Sequence, residues 1–79
     1  MQAADVEKLI TDRLKDVEVQ VNWNGHHYEI TAISEAFSGL STVKRQQLIY
    51  GCLSQCLADG SIHAVELKTY TPQQWDERA

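Results

Sequence analysis

Three histidines are the residues of this 79-residue chain best suited to metal chemistry. His63 lies at the start of a predicted strand, in phase with positions that face the core. Its ring is therefore expected to be partly buried near the rim of the core, with one nitrogen free. Neutral imidazole is a good ligand for iron, zinc or copper. The alternative is a histidine at the edge of the core that is bonded to backbone. His63 plus one other histidine supplies only two ligands, so such a site needs ligands from another chain or a small thiol.

The other two histidines, His26 and His27, directly follow Asn24-Gly25, which is a strong signal for a hairpin turn. Adjacent residues of a strand point to opposite faces, so these two are poorly placed to hold one ion together. Either one can instead be an ordinary surface histidine. The sequence therefore offers His26 and His27 as alternative partners for His63.

Two cysteines, Cys52 and Cys56, are one helical turn apart and share a helix face. Two thiolates at this spacing could hold a metal ion. Both positions fall in the apolar arc of the predicted helix, however, where free cysteine behaves as a small hydrophobic residue. We therefore predict structural cysteines, and the sequence shows no CxxC, HExxH or glycine-rich phosphate motif.

A cationic pair, Lys44-Arg45, lies in a stretch without acidic residues between Glu35 and Asp59, which is therefore locally positive. Two cations in the first turn of a helix oppose its dipole, which is unfavourable unless an anionic group binds there. Arg45 falls inside the apolar arc, so it can also serve the fold by extending along the helix start or pairing with an internal carboxylate. Lys44 faces outward and, with Arg45 and Lys68, is a candidate contact for a partner or nucleic acid.

Periodicity predicts the elements that position these residues. Apolar spacing of three and four indicates helices near the N-terminus and from Ser41 or Thr42 to about Ala58, ended by Gly60. Alternation indicates strands over 17–23, 27–32 and 62–70, with His27, Glu29 and Thr31 on one face of the second. A short helical turn precedes Gly39, and a capping box at 71–74 opens a last helix.

The resulting order is α-β-β-α-α-β-α, in one domain over residues 1–79. Helices gathered on one face of a three-stranded sheet make an α+β sandwich. A chain of this size has a small core and little room for its own active site. We therefore expect a binding or carrier module and not a self-contained enzyme.

Charge and composition narrow the function further. The chain has 7 basic and 11 acidic residues, a net charge of −4, and 43% hydrophobic residues. The hydrophobic fraction favours a folded domain. The net negative charge weighs against a general polyanion binder. No apolar run is long enough to span a membrane, and the first residues do not have the pattern of a signal peptide. With only two cysteines, the expected location is the cytoplasm.

Two stretches of the sequence resemble the BolA family, most closely its bacterial IbaG branch. The central stretch is Phe37-x-Gly39-x-Ser41-x-x-x-Arg45-x-x-x-Ile49-Tyr50. The C-terminal stretch is Ile62-His63-Ala64-Val65, followed by Leu67-Lys68-Thr69-Tyr70-Thr71-Pro72 and Trp75. The similarity covers nearly the whole chain, and it implies a fold related to the class II KH domain.

The resemblance also implies a partner and a cofactor. Family members pair with monothiol glutaredoxins of the CGFS type and share a [2Fe–2S] cluster, which the glutaredoxin cysteine and glutathione ligate on the other side. The family's C-terminal histidine ligand corresponds to His63. Its second ligand lies in the first hairpin, where His27 matches better than His26. The expected protein is a non-enzymatic adaptor, monomeric alone, in cluster assembly, transfer, sensing or stress response.

The alternative function is nucleic-acid binding by a KH-like transcriptional regulator. A KH domain clamps the nucleic-acid backbone with a GxxG loop. The corresponding stretch here is Gly39-Leu40-Ser41-Thr42, which lacks the second glycine. Only Lys44, Arg45 and Lys68 are available as a small basic patch, so weak DNA binding is expected at most.

Overall fold

A three-stranded sheet flanked by helices forms the described part of the chain, residues 2–62 and 65–78 of the computed structural model. The order of elements matches the prediction, with a 3-10 turn as the short helical element before the long helix. The elements are α1 (Ala3–Arg13), β1 (Val17–Trp23), β2 (Tyr28–Ser34), the 3-10 turn (Glu35–Phe37), α2 (Thr42–Asp59), β3 (Val65–Tyr70) and α3 (Pro72–Glu77).

The central strand of the sheet is β2, which pairs with β1 and β3 in the order β1-β2-β3. β1 and β2 are antiparallel, in register from Val17↔Ser34 to Trp23↔Tyr28. β2 and β3 are parallel, from Tyr28↔Val65 to Ile33↔Tyr70. Parallel neighbours need a crossover connection, and α2 supplies it. This register decides which side chains of β2 and β3 lie side by side.

One face of the sheet, the core face, packs against α1 and α2. Strand alternation gives this face Val19 on β1 and Ile30 and Ala32 on β2, all of them buried. The largest fully buried side chains are Phe37, Ile10, Ile30, Ile49, Leu53, Ile62 and Val6. Each such side chain contributes about 1.5–3 kcal/mol when removed from water. The core therefore stabilises the sheet through one face only, and the side chains of the opposite face do not belong to it.

The opposite face, called here the second face, is covered at one end by α3. Alternation turns Ile33 and Tyr70 toward this face, and Ile33 is only 5% exposed. The rings of Tyr70 and Trp75 are 5.2 Å apart between centroids. The prediction of all helices on one face is therefore wrong for α3, because the alternation of β3 places the aromatic partner of Trp75 on the second face.

Helix ends follow the predicted caps. Ser41 Oγ accepts a hydrogen bond from the Lys44 backbone N–H at 3.3 Å and begins α2. Gly60 ends α2 with φ +82°, in the left-handed region that glycine adopts readily. Thr71 and Gln74 form the capping box that begins α3. No helix among the described residues, including the 18-residue α2, is long and apolar enough to cross a bilayer.

The two cysteines of α2 differ in burial, and we expect them to differ in reactivity. Cys52 is 6% exposed, belongs to the core cluster and donates its S–H to the Leu48 carbonyl oxygen at 3.3 Å. Burial raises the pKa of the Cys52 thiol, and Arg13 opposes this shift in part. Cys56 is half-buried at the edge of the core. The prediction of structural cysteines agrees with these positions.

In the folded protein at about pH 8, iodoacetamide is expected to modify Cys56 well before Cys52. The thiolate is the reacting form, and burial both shields the Cys52 thiol and raises its pKa. Peptide mass spectrometry after short exposures measures the two rates. In denaturant both cysteines should react at similar rates, which serves as the control. Equal rates in the folded protein would contradict the burial of Cys52.

Candidate functional site

The loop that joins β1 to β2 is organised by one asparagine. Asn24 Oδ1 accepts hydrogen bonds from the backbone N–H groups of His26 and His27, each at 2.9 Å. The Asn24 backbone N–H donates to the His27 carbonyl oxygen at 3.3 Å. Gly25 follows with φ +96°. Asparagine side chains bond readily to the backbone ahead of them, and glycine accepts positive φ, so Asn24-Gly25 closes this turn.

The structure separates the two hairpin histidines. His26 is exposed in the loop, whereas the side chain of His27 is 33% exposed and reaches β3. His27 Nε2 lies 3.5 Å from Glu66 Oε2 and 3.3 Å from Asn24 Nδ2. His27 therefore has a carboxylate and an amide next to its ring.

His27, Glu29 and Glu66 form a cluster of three potential metal ligands on the second face. One donor atom from each residue lies within 4.8 Å of the other two. Glu29 and Glu66 are register partners on β2 and β3. Asn22 Nδ2, on β1, donates to Glu29 Oε1 at 3.2 Å. The three ligands thus come from the loop, β2 and β3, and β1 supports one of them through Asn22.

Beside the cluster, the second face carries a cleft of about 200 Å³, called here the open cleft. Its lining combines polar side chains from all three strands with one cation, Lys68. The lining residues are Gln20, Val21, Asn22, Glu29, Ile30, Thr31, Glu66 and Lys68. The two carboxylates outnumber the single ammonium group, so the cleft is acidic overall.

The sequence predicts His27 and Glu29 on one face, but neither Glu29 nor Glu66 is among its candidate site residues. Alternation within β2 was a sufficient signal for the pair His27 and Glu29. Glu66 joins them only through the parallel register of β2 and β3. A single sequence contains no direct signal for that register.

His63, the predicted metal ligand, lies outside the described residues. Its role stays a prediction. A [2Fe–2S] cluster accepts imidazole as well as thiolate ligands. Among the residues that the structure describes, His27 is the partly exposed imidazole that fits this requirement, and His26 is the more exposed alternative. The described donors therefore fit part of a shared ligand set and not a complete one.

The predicted contact residues lie in different settings. The Arg45 guanidinium is used within the fold, because its Nε donates to the carbonyl oxygens of Phe37 and Leu40, both at 3.1 Å. Its Nη1 donates to Gln74 Oε1 at 2.8 Å. The internal partners are thus carbonyl and amide oxygens, and not the carboxylate considered from sequence.

Lys44 and Lys68 line different depressions. Lys44 is exposed on α2 beside Leu40, Gln47 and Leu48. Lys68 lies in the open cleft with Glu29 and Glu66. Partner or nucleic-acid contact by any of the three cations stays a prediction, and Lys44 is exposed without sharing a depression with a carboxylate.

Comparison with known proteins agrees with the predicted family. A family model for BolA-like proteins matches residues 6–74. Acid stress protein IbaG of Escherichia coli (strain K12) is 40% identical over 75 residues, which make up 95% of this chain and 89% of IbaG. The resemblance to the IbaG branch is confirmed by this similarity.

Solved structures agree on the fold. A bolA protein homologue from Coxiella burnetii has a TM-score of 0.82 at 30% identity, over 96% of this chain and 97% of that chain. The BolA domain of SufE1 from Arabidopsis thaliana has a TM-score of 0.76 at 31% identity, over 90% and 92% of the two chains. The predicted α+β architecture is confirmed, and this chain belongs to the BolA-like family.

Proposed function

We propose that this protein is an iron–sulfur cluster adaptor, which pairs with a monothiol glutaredoxin of the CGFS type and shares a [2Fe–2S] cluster with it. The observation that carries the proposal is the setting of His27, a partly exposed imidazole at the end of a hairpin in a BolA-like chain. The similarity to an acid stress protein supports a role in stress response. The protein has no catalytic activity of its own and acts in the cytoplasm.

In this proposal the chain supplies nitrogen ligands and the partner supplies sulfur. His27 offers one ring nitrogen, and His63 is the second ligand by family resemblance. Glu66 lies next to the His27 ring and orients it, as carboxylates commonly do for metal-binding histidines. The cluster is cargo that passes between partners, and imidazole in place of thiolate changes its potential and its visible spectrum.

The test is co-expression with a monothiol glutaredoxin, followed by size-exclusion chromatography with absorption and circular dichroism spectra. We expect the two proteins to elute together with a spectrum different from that of the glutaredoxin alone. Co-expression with a monothiol glutaredoxin whose active-site cysteine is replaced by serine is the control, and it should give no cluster. Separate elution with an unchanged glutaredoxin spectrum would overturn the proposal.

Nucleic-acid binding is the weaker candidate on electrostatic grounds. Lys68 shares the open cleft with Glu29 and Glu66, and the Arg45 guanidinium is bonded to internal oxygens. Binding to the phosphate backbone of a nucleic acid depends on several accessible lysine or arginine side chains that neutralise phosphates. We expect no shift of duplex DNA even at low salt, and a salt-dependent shift that is lost in Lys44→Ala would favour this alternative.

A further inference from the structure

We propose that His27, Glu29 and Glu66 bind a single divalent transition-metal ion, with all protein ligands from this one chain. The site differs from the shared cluster in its donor set, because it uses one imidazole and two carboxylates and no thiolate. It also needs neither glutaredoxin nor glutathione. The proposal therefore stands apart from the function proposed above, although both involve His27.

The three donors are already close to a binding geometry. Three atoms no more than 4.8 Å apart all lie within about 2.8 Å of a common centre, which follows from plane geometry. Zinc–nitrogen and zinc–oxygen distances are about 2.0–2.2 Å. Each donor must therefore move by less than about 1 Å, which small side-chain rotations achieve without any change in the strands.

The pairing of Glu29 with Glu66 is a second reason to expect a cation. The two residues are direct register partners on adjacent strands. Like charges directly opposite each other on neighbouring strands destabilise a sheet. An ion held between the carboxylates would replace this repulsion with attraction.

Neighbouring side chains hold the ligands in place. Asn22 Nδ2 donates to Glu29 Oε1, which leaves Glu29 Oε2 available for an ion. Asn24 Oδ1 accepts the backbone N–H groups of His26 and His27, and the Asn24 amide nitrogen also contacts the His27 ring. Supporting contacts of this kind orient metal ligands and reduce the entropy lost on binding. The group is therefore arranged before an ion arrives.

The donor set selects the class of ion. Imidazole suits zinc, copper, iron and nickel, whereas magnesium and calcium prefer sites made entirely of oxygen ligands. Three protein ligands leave positions for water, and the partly exposed side chains of His27 and Glu66 give an ion direct access. Lys68 lines the adjoining cleft and its charge opposes the ion, so binding should be reversible and of moderate strength.

The proposal is tested by calorimetric titration of the purified apo chain with Zn²⁺ and by Co²⁺ absorption spectra at neutral pH. We expect one ion per chain and a Co²⁺ spectrum without a thiolate charge-transfer band. Glu29→Gln and Glu66→Gln should each weaken binding at least about 10-fold. Lys68→Gln should tighten it, because a nearby positive charge is removed.

Glu18→Gln is the matched control, because it likewise removes one carboxylate from the sheet. Glu18 is exposed on β1 and lies opposite Ile33, away from the cluster. It should bind Zn²⁺ as the unaltered chain does, and far-UV circular dichroism should show that every variant is folded. Equal Zn²⁺ affinity in the unaltered chain and the Glu29→Gln/Glu66→Gln double variant would overturn the proposal. Because glutaredoxin is absent, this result is independent of the cluster experiment.

Discussion

Arg45→Ala is expected to lower the free energy of unfolding by about 2–3 kcal/mol, since hydrogen bonds to a charged group contribute about 1.5–3 kcal/mol. Proteins of this length have a total stability of about 4–12 kcal/mol. The variant should therefore lose a large share of its stability. Urea denaturation followed by circular dichroism measures the loss.

The expected loss is large because one guanidinium joins three segments. Arg45 Nε donates to the carbonyl oxygens of Phe37, the last residue of the 3-10 turn, and of Leu40, which lies between that turn and α2. Arg45 Nη1 donates to Gln74 Oε1, and the same oxygen accepts the Thr71 backbone N–H at 3.0 Å in the cap of α3. Alanine leaves two half-buried carbonyl groups without this donor and weakens the start of α3.

The control is Lys44→Ala, which removes the neighbouring positive charge from an exposed position. Surface substitutions of this kind usually change stability by no more than about 0.5 kcal/mol. A loss for Arg45→Ala that is no larger than for Lys44→Ala would contradict the structural role of Arg45. In that case contact with a partner would become the better explanation for a cation at position 45.

Local sequence signals predicted the elements and their ends well. The cap at Ser41, the glycine at the end of α2 and the capping box at Thr71 depend on residues within four positions of one another, and all three are present. Alternation in β2 likewise placed His27 and Glu29 on one face. These features need no knowledge of how distant segments pack.

The features that the sequence left open are those that depend on distant pairing. Glu66 meets His27 across 39 positions of sequence, through a parallel register that alternation alone does not determine. The helical wheel placed Arg45 in the apolar arc, but its partners depend on how the chain turns after Phe37. The position of α3 depends on Tyr70, whose ring meets Trp75 on the second face. Tertiary packing decides each of these points.

The two hairpin histidines are expected to behave differently when the chain is co-expressed with a monothiol glutaredoxin. His27→Ala should abolish the spectrum of the mixed complex, whereas His26→Ala should preserve it. The reason is that His27 lies on the second face with its ring beside Glu66, while His26 is exposed in the loop. Absorption and circular dichroism spectra of the co-purified proteins measure the difference.

Glu66→Gln tests whether Glu66 orients the His27 ring or is itself a ligand of the shared cluster. Glutamine keeps the size and one oxygen of Glu66 but loses its charge, so we expect the mixed complex to form with a weaker or shifted spectrum.

His26→Ala is the matched control for His27→Ala, because both remove one imidazole from the same four-residue loop and neither removes Asn24, which closes it. Loss of the mixed spectrum in His26→Ala alone would reassign the ligand to the loop tip. Retention in both variants would exclude this hairpin from the cluster site, because no other imidazole lies in it.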